Sequence, residues 1–214
     1  MDTLTVLVED IAFLLNKDFD WAFKEKVKFS CISYRATLAK QEFDKYGRWS
    51  TGLIDSICLN LIEVPQTECC INSDVECTVT RTKYNVPAPI RTNRFPDPFT
   101  FVGTSNNEVA FTFVQPEEVN NILCGTKFMK KIGNLYAYFN NYIYIFNNEG
   151  RKLSIRGAFA NPLDLLSLQD CDGNNCKDSI DINEDMKNTI KRMVLEEFGY
   201  TKVIPPNKEV QLDE

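Results

Sequence analysis

Residues 134–159 read NLYAYFNNYIYIFNNEGRKLSIRGAF and carry the clearest structural signal in the chain. Two runs rich in aromatic and β-branched residues flank Asn140-Asn141, a pair that suits a two-residue hairpin turn. A second turn at 147–150 leads into a third alternating run, so the stretch predicts three antiparallel strands. We expect four tyrosines to form a ladder across the first hairpin: Tyr136, Tyr138, Tyr142 and Tyr144.

Strand patterns continue upstream of this stretch. Residues 74–82 alternate between apolar and polar side chains, and strand-like runs flank the turn at 104–107, where we predict a further hairpin. Four prolines within residues 85–98 predict an extended loop. Together these patterns predict an antiparallel, sandwich-like β-domain over residues 66–160.

Helical periodicity dominates the chain before this β-domain, and residues 1–65 are predicted to form a helical hairpin region. The spacing predicts a short helix over 4–15, a long helix over 18–46 and a third helix over 50–61. We expect the second and third helices to pair as the hairpin. Five basic residues are assigned to the polar side of the long helix: Lys24, Lys26, Lys28, Arg35 and Lys40.

After the β-domain, residues 161–214 are predicted to form a C-terminal helix with an extended tail. Asn183 is a suitable helix cap, and an apolar stripe continues to Phe198 before Gly199 ends the helix. Residues 201–214 contain two consecutive prolines and few large apolar side chains, so they predict an arm that is flexible until it meets a partner. The predicted fold class is therefore α+β.

Composition narrows the classes of function. The chain is 43% hydrophobic and 12% aromatic, which suffices for a packed core, and it contains no histidine. The lack of histidine excludes a Ser-His-Asp triad, a Cys-His dyad and HExxH zinc chemistry. The sequence also contains no P-loop and no GxSxG motif. We therefore expect a binding or structural protein that is not an enzyme and uses no cofactor.

Charge is unevenly distributed along the chain. The net charge is −6, which argues against non-specific nucleic-acid binding. Residues 79–156 carry ten Lys and Arg against five Asp and Glu, whereas residues 164–214 carry twelve acidic and six basic residues. This asymmetry favours self-association or docking onto a neighbour, and two separate solvated surfaces explain it equally well.

The sequence contains no signal that directs the chain to a membrane or out of the cell. No apolar run approaches the roughly 20 residues of a membrane span. The first ten residues, MDTLTVLVED, lack the basic region and the cleavage site of a signal peptide. We expect synthesis and assembly in a cytosol, where thiols are reduced.

The eight cysteines leave several alternatives open. Cys58 fits an apolar helical pattern and is expected in the core. Clusters at 69–77 and 171–176 offer thiolates for a structural zinc, but their spacing departs from that of zinc knuckles, so we favour free thiols and expect no metal. A local disulfide between Cys171 and Cys176 is a further alternative once the protein leaves a reducing cell.

The run from Asn134 to Leu165 resembles a segment of the portal-vertex ring proteins of crAss-like tailed phages of gut Bacteroidetes, and the resemblance covers residues 20–200. Its centre is the tyrosine-rich hairpin from Tyr142 to Asn148. Further features lie on both sides of that hairpin: Gly157, Phe159, Pro162, the Pro89-Ile90-Arg91 segment, Asp97-Pro98-Phe99 and the cysteine-bearing acidic loop before the last helix.

This resemblance implies a structural virion protein, similar to head-to-tail adaptors, that forms a homo-oligomeric ring around the DNA channel. By analogy we expect about twelve copies, contacts with the portal protein and neighbouring tail ring proteins, and passage of genomic DNA without sequence-specific binding. The implied location is the portal vertex or tail of the virion, after assembly in the host bacterial cytoplasm. The resemblance supplies no catalytic residues and no individual interface residues.

Interface residues are expected from the sequence pattern itself. The apolar stripe that starts at Phe19 is wider than a two-helix contact requires, and the basic strand complements the acidic tail. The expected interface residues are Phe19, Phe23, Arg151, Lys152, Arg156, Val203 and Ile204. Two other classes stay open: a host-interaction β-domain that binds carbohydrate or protein on the four tyrosines and Trp49, and a zinc or thiol enzyme built on the cysteine clusters.

Overall fold

The computed structural model describes residues 3–50, 52–65, 78–118, 133–146 and 150–199. Its helices are α1 (Thr3–Leu14), α2 (Trp21–Tyr46) and α3 (Glu184–Glu197). Its strands are β1 (Asp55–Pro65), β2 (Thr78–Thr82), β3 (Phe101–Thr104), β4 (Thr112–Phe113), β5 (Leu135–Phe139), β6 (Tyr142–Phe146) and β7 (Lys152–Gly157). The α+β fold class is confirmed, with a helical pair before the sheet and a helix after it.

The strands form one mostly antiparallel sheet in the order β3-β7-β1-β2-β6-β5-β4. The hairpin predicted around the turn at 104–107 is formed in part, because Gly103 and Ala110 make an antiparallel bridge across that turn. Its second run then continues into β4, which pairs in parallel with β5 at the opposite end of this order. The two ends of the sheet therefore meet just before β4, where the Phe111 amide donates to the Val102 carbonyl at 2.7 Å. The sheet therefore has a barrel-like shape. A side chain at Gly103 would overlap the Val109 carbonyl oxygen, so glycine permits this closure.

The hairpin of β5 and β6 is confirmed. Asn140 and Asn141 have φ angles of 50° and 62°, as a type I′ turn requires. The predicted tyrosine ladder is wrong, because the register pairs Tyr136 with Ile145 and Ala137 with Tyr144. Side chains alternate along a strand, so the tyrosines of β5 lie in one apolar cluster and those of β6 lie in or against another on the opposite face.

α1 and α2 form the N-terminal helical pair, and α3 packs against both. Asp20 caps α2 by accepting the Phe23 amide hydrogen at 3.0 Å, and Gly47 ends the helix with a φ of 70°. The three helices share an apolar core that includes Leu4, Leu7, Ile11, Val27, Cys31, Ala39, Met186, Ile190 and Val194. Among the described residues, no helix combines the length and the apolar composition that a membrane span requires.

The helix predicted over residues 50–61 is wrong, since this segment enters β1 at Asp55. Leu53, Ile57 and Leu61 fit a helical period, but Ile57 and Leu59 are buried with the period of a strand. β1 pairs with both β2 and β7, and the hydrogen bonds of these two ladders stabilise the segment as a strand rather than a helix. The helical pair therefore consists of α1 and α2. The division of the chain at residues 65 and 160 stays a prediction.

Candidate interaction surfaces

Large apolar side chains are exposed where α1 turns into α2. Phe19 is 98% exposed and Trp21 is 74% exposed. The two helices are tied together beside the turn by Lys24 Nζ, which lies 2.6 Å from Glu9 Oε2. Exposed aromatic groups concentrated on a fixed turn are typical of a protein contact surface. We define the helix-turn patch as Phe13, Leu14, Phe19 and Trp21.

A groove of about 420 Å³ follows α2 from the next helical turn onward. Its most exposed apolar side chain is Phe29, at 75%. The groove runs between α2 and the turn at 160–163, which supplies its second wall. We define the α2 groove by six of its lining residues: Glu25, Phe29, Ile32, Ala36, Ala160 and Leu163.

The two expected contact residues at the start of α2 differ in their surroundings. Phe19 belongs to the helix-turn patch, whereas Phe23 is partly buried against Phe198, with ring centroids 5.0 Å apart. This ring contact places the end of α3 beside the start of α2. Gly199 is the last described residue, and the described chain therefore ends near the patch. The expected contacts of Val203 and Ile204 lie outside the described residues.

The basic residues of the β7 region divide into two groups. Lys152 Nζ lies 3.0 Å from Asp172 in the acidic loop, residues 170–181. The same loop is held to β1 by Lys177, whose Nζ lies 2.5 Å from Asp55. Part of the acidic region therefore docks within its own chain. Arg151 and Arg156 are exposed and stay the stronger candidates for contact with a partner.

The sequence pattern predicted Arg35 on the polar side of α2, and this prediction is wrong. Arg35 is 1% exposed, and its Nη1 donates to the Phe159 carbonyl at 3.2 Å. Burial lowers the pKa of the guanidinium, and the Asp55 carboxylate opposes that shift. Within the described ranges, neither Arg35 Nε nor Asp55 Oδ2 has a hydrogen-bond partner. The hydrogen bond joins α2 to the segment after β7, so Arg35 serves the fold rather than a contact surface.

Cys58 and Cys171 form a disulfide with their Cα atoms 5.3 Å apart. The expectations of a helical core position for Cys58, of a free thiol at Cys171 and of a Cys171–Cys176 bond are therefore wrong. In β1, Cys58 points away from the buried Ile57 and Leu59 and towards the acidic loop. Cys176 is a free thiol whose pKa is raised to about 11, chiefly by burial.

A metal site can be assessed for part of the chain. In the ranges that the structure describes, no group of three or more Cys, Asp or Glu residues is placed to hold a metal ion. The cysteine cluster at 69–77 lies outside those ranges, so the expected absence of zinc there stays a prediction. Cys171, a member of the second cluster, is already bonded to Cys58.

The tyrosine platform that a host-interaction domain would need is not formed. Tyr136, Tyr138 and Tyr144 are buried. Trp49 packs instead on Phe43, with ring centroids 4.4 Å apart. A cleft of about 480 Å³ does lie beside the loop at 91–98, and we call it the aromatic cleft. Its lining includes Arg91, Phe95, Asp97, Phe113, Tyr138 and Phe139.

Asp97 is an acidic residue in the lining of the aromatic cleft. Its carboxylate accepts hydrogen bonds from the Tyr136 hydroxyl and from the Phe99 amide, the latter at 3.0 Å. Partial removal of the carboxyl from water raises its pKa above the ordinary 3.8, and the two hydrogen bonds oppose this shift. The folded state therefore binds this proton more tightly than the unfolded state.

The raised pKa of Asp97 predicts a pH dependence of stability. Its protonated form favours the folded state below the ordinary pKa, and this contribution is lost as pH rises through the raised pKa. Asp97→Asn keeps an oxygen that accepts both hydrogen bonds, so it should flatten the fall in unfolding free energy above pH 4. Urea unfolding at a series of pH values measures this. Glu108→Gln on an exposed loop is the matched control, and parallel curves for both variants would contradict the prediction.

A family model described as phage tail ring protein 2 matches residues 7–212. The match includes the helical pair, the barrel-like sheet and α3, and it continues into the segment that follows Gly199. No curated protein matches the chain.

Proposed function

Because the chain belongs to the phage tail ring protein 2 family of crAss-like phages, we propose that its copies form a ring in the head-to-tail connector, next to the portal or to another tail ring. The family assignment confirms the resemblance seen in the sequence and makes the chain a structural protein of the virion. In this proposal the ring surrounds the DNA channel, genomic DNA passes through it without sequence-specific binding, and the ring performs no catalysis.

The exposed aromatic surface of the helical pair is the observation that carries this proposal. A ring of head-to-tail subunits needs two different complementary faces on every subunit. The helix-turn patch and the α2 groove supply an apolar face, because Phe19, Trp21 and Phe29 are each more than two-thirds exposed. A single chain gains no stability from such exposure, whereas burial in a contact stabilises the assembly.

Copy number is proposed by analogy with adaptor rings. A ring that seats on a dodecameric portal is expected to contain about twelve copies, and a lower tail ring about six. Closure repeats the same contact at every junction, so a modest affinity between two subunits suffices when the portal acts as a template. Assembly in the host cytoplasm and contacts with the portal protein belong to this proposal.

Charge reversal on the β7 region tests the connector. We expect Arg151→Glu with Arg156→Glu to weaken each subunit contact by about 1 kcal/mol, roughly fivefold, and to leave the fold intact, because exposed ion pairs contribute little to a subunit. Native mass spectrometry and negative-stain images, taken with and without the portal, measure ring formation, and circular dichroism checks the fold.

Lys152→Glu is the matched control, because Lys152 already pairs with Asp172 in its own chain. This control should loosen the acidic loop and leave ring formation near normal. Normal rings from the double variant would remove the electrostatic part of the proposal. An unaltered chain that never joins a ring, alone or with the portal, would remove the connector itself.

A further inference from the structure

We propose that the segment after Gly199 of one subunit binds the helix-turn patch and the α2 groove of the neighbouring subunit. The inference rests on the ring proposed above and names the two halves of its repeating contact. The occupant is residues 200–214, and the receiving surface is the continuous apolar face that begins at the α1–α2 turn.

The exit of the chain places this segment at an edge of the receiving surface. Phe198 packs on Phe23, so the described part of the chain ends beside the helix-turn patch. Fifteen residues follow Gly199, and at about 3.3 Å each they extend to about 50 Å. A folded chain of 214 residues has a radius of gyration of about 17 Å, so the segment is long enough to reach an adjacent copy. The family match also runs to residue 212, so the segment is part of the matched sequence.

The spacing of apolar residues in the segment fits the spacing on the receiving surface. Val203 and Ile204 form one apolar pair. Val210 and Leu212 form a second pair, which follows two prolines and three polar residues. Ile204 and Val210 lie about 20 Å apart in an extended chain. Along α2, the patch at Trp21 and the middle of the groove at Ile32 are about 17 Å apart. The two apolar pairs can therefore fill the patch and the groove together.

In a ring, the segment that covers the receiving surface of one subunit comes from the neighbouring subunit and not from the same chain. A segment that covers its own patch satisfies the apolar surface of a single subunit and leaves no contact to repeat. A segment that covers the patch of the next subunit joins two unlike faces, which is the contact that closes into a ring. Pro205 and Pro206 also limit the conformations that the segment loses when it binds.

Two full-length variants and their mixture test the inference. Val203→Ser with Ile204→Ser alters the segment, and Phe19→Ser with Trp21→Ser alters the patch. Each variant alone should need at least roughly tenfold more protein to form rings with the portal, because large apolar anchors dominate such contacts. Mixed in equal amounts, the two variants should form heterodimers but no rings, since each pair then has one intact junction.

Val109→Ser is the matched control, because Val109 is an exposed apolar residue outside the receiving surface. It should assemble like the unaltered chain, and circular dichroism should be unchanged for every variant. Rings formed equally well by both double variants would overturn the inference and leave the connector standing. Monomers from the mixture would assign the segment to its own chain, which also overturns it. An unaltered chain without rings under any condition would overturn the connector and the inference together.

Discussion

Replacing Asp55 with Asn will lower the free energy of unfolding by about 3 kcal/mol, the lower end of the range for breaking a buried ion pair. Asp55 pairs with Lys177, whose Nζ lies 2.5 Å away, and the field of its carboxylate also acts on the buried Arg35. Asn preserves the shape of the side chain and removes its charge. Lys177 then loses its anion and the Arg35 guanidinium stays buried without the charge of Asp55, and urea unfolding at neutral pH measures the loss.

Asp172→Asn is the matched control for this prediction. It removes one negative charge from the ion pair of Asp172 with Lys152. Both side chains of this pair are exposed, so the free energy of unfolding should change by no more than about 1 kcal/mol. Arg35→Met combined with Asp55→Asn should recover part of the loss, because the double variant removes both buried charges. Equal effects of the Asp55 and Asp172 variants, with no recovery in the double variant, would show that Asp55 compensates no buried charge.

The position of Arg35 illustrates which signals a sequence contains and which it lacks. Val27, Cys31, Ala39 and Phe43 recur every fourth residue and are buried, and Arg35 stands in the middle of that stripe. Periodicity therefore indicates burial, while charge indicates exposure, and charge is usually the better guide. The balance is reversed by the Phe159 carbonyl and the Asp55 carboxylate, which tertiary structure brings to the guanidinium from distant parts of the chain.

Elements fixed by local chemistry were predicted from sequence, and elements fixed by barrel closure were not. The Asn140-Asn141 turn and the Asn183 cap act within a few residues, so the hairpin of β5 and β6 and the helix α3 were predicted with nearly their observed bounds. β1 was mistaken for a helix because its partners, β2 and β7, are remote in sequence. Pairing across a closed sheet cannot be read from the period of one short run.

The receiving surface was predicted in part. Phe19 was expected at an interface because the apolar stripe seemed wider than the helical pair requires, and the structure leaves it exposed. Trp21 and Phe29 were missed, although they stand on the side of α2 away from the buried stripe through Val27 and Cys31. Aromatic residues at those positions are the signal that identifies such a surface from sequence.

Loss of the Cys58–Cys171 disulfide will lower the free energy of unfolding by about 2–5 kcal/mol. The bond joins residues 113 positions apart, and long loops lose the most freedom in the unfolded chain when they are closed. It also fixes the acidic loop to β1 beside the pairs of Lys152 with Asp172 and Lys177 with Asp55. Urea unfolding of the oxidised protein against Cys58→Ser with Cys171→Ser measures the difference.

Cys176→Ser is the control for this comparison, because Cys176 lies in the same loop as a free thiol. Formation of the disulfide should also depend on the compartment of the protein, since thiols stay reduced in a bacterial cytosol and oxidise after release. Alkylation of infected cells before lysis, followed by peptide mapping, should find Cys58 and Cys171 modified, whereas both should be protected in purified virions. Alkylation of both residues in virions, or equal stability of the double variant and the oxidised protein, would mean that the acidic loop is held by its ion pairs without the covalent bond.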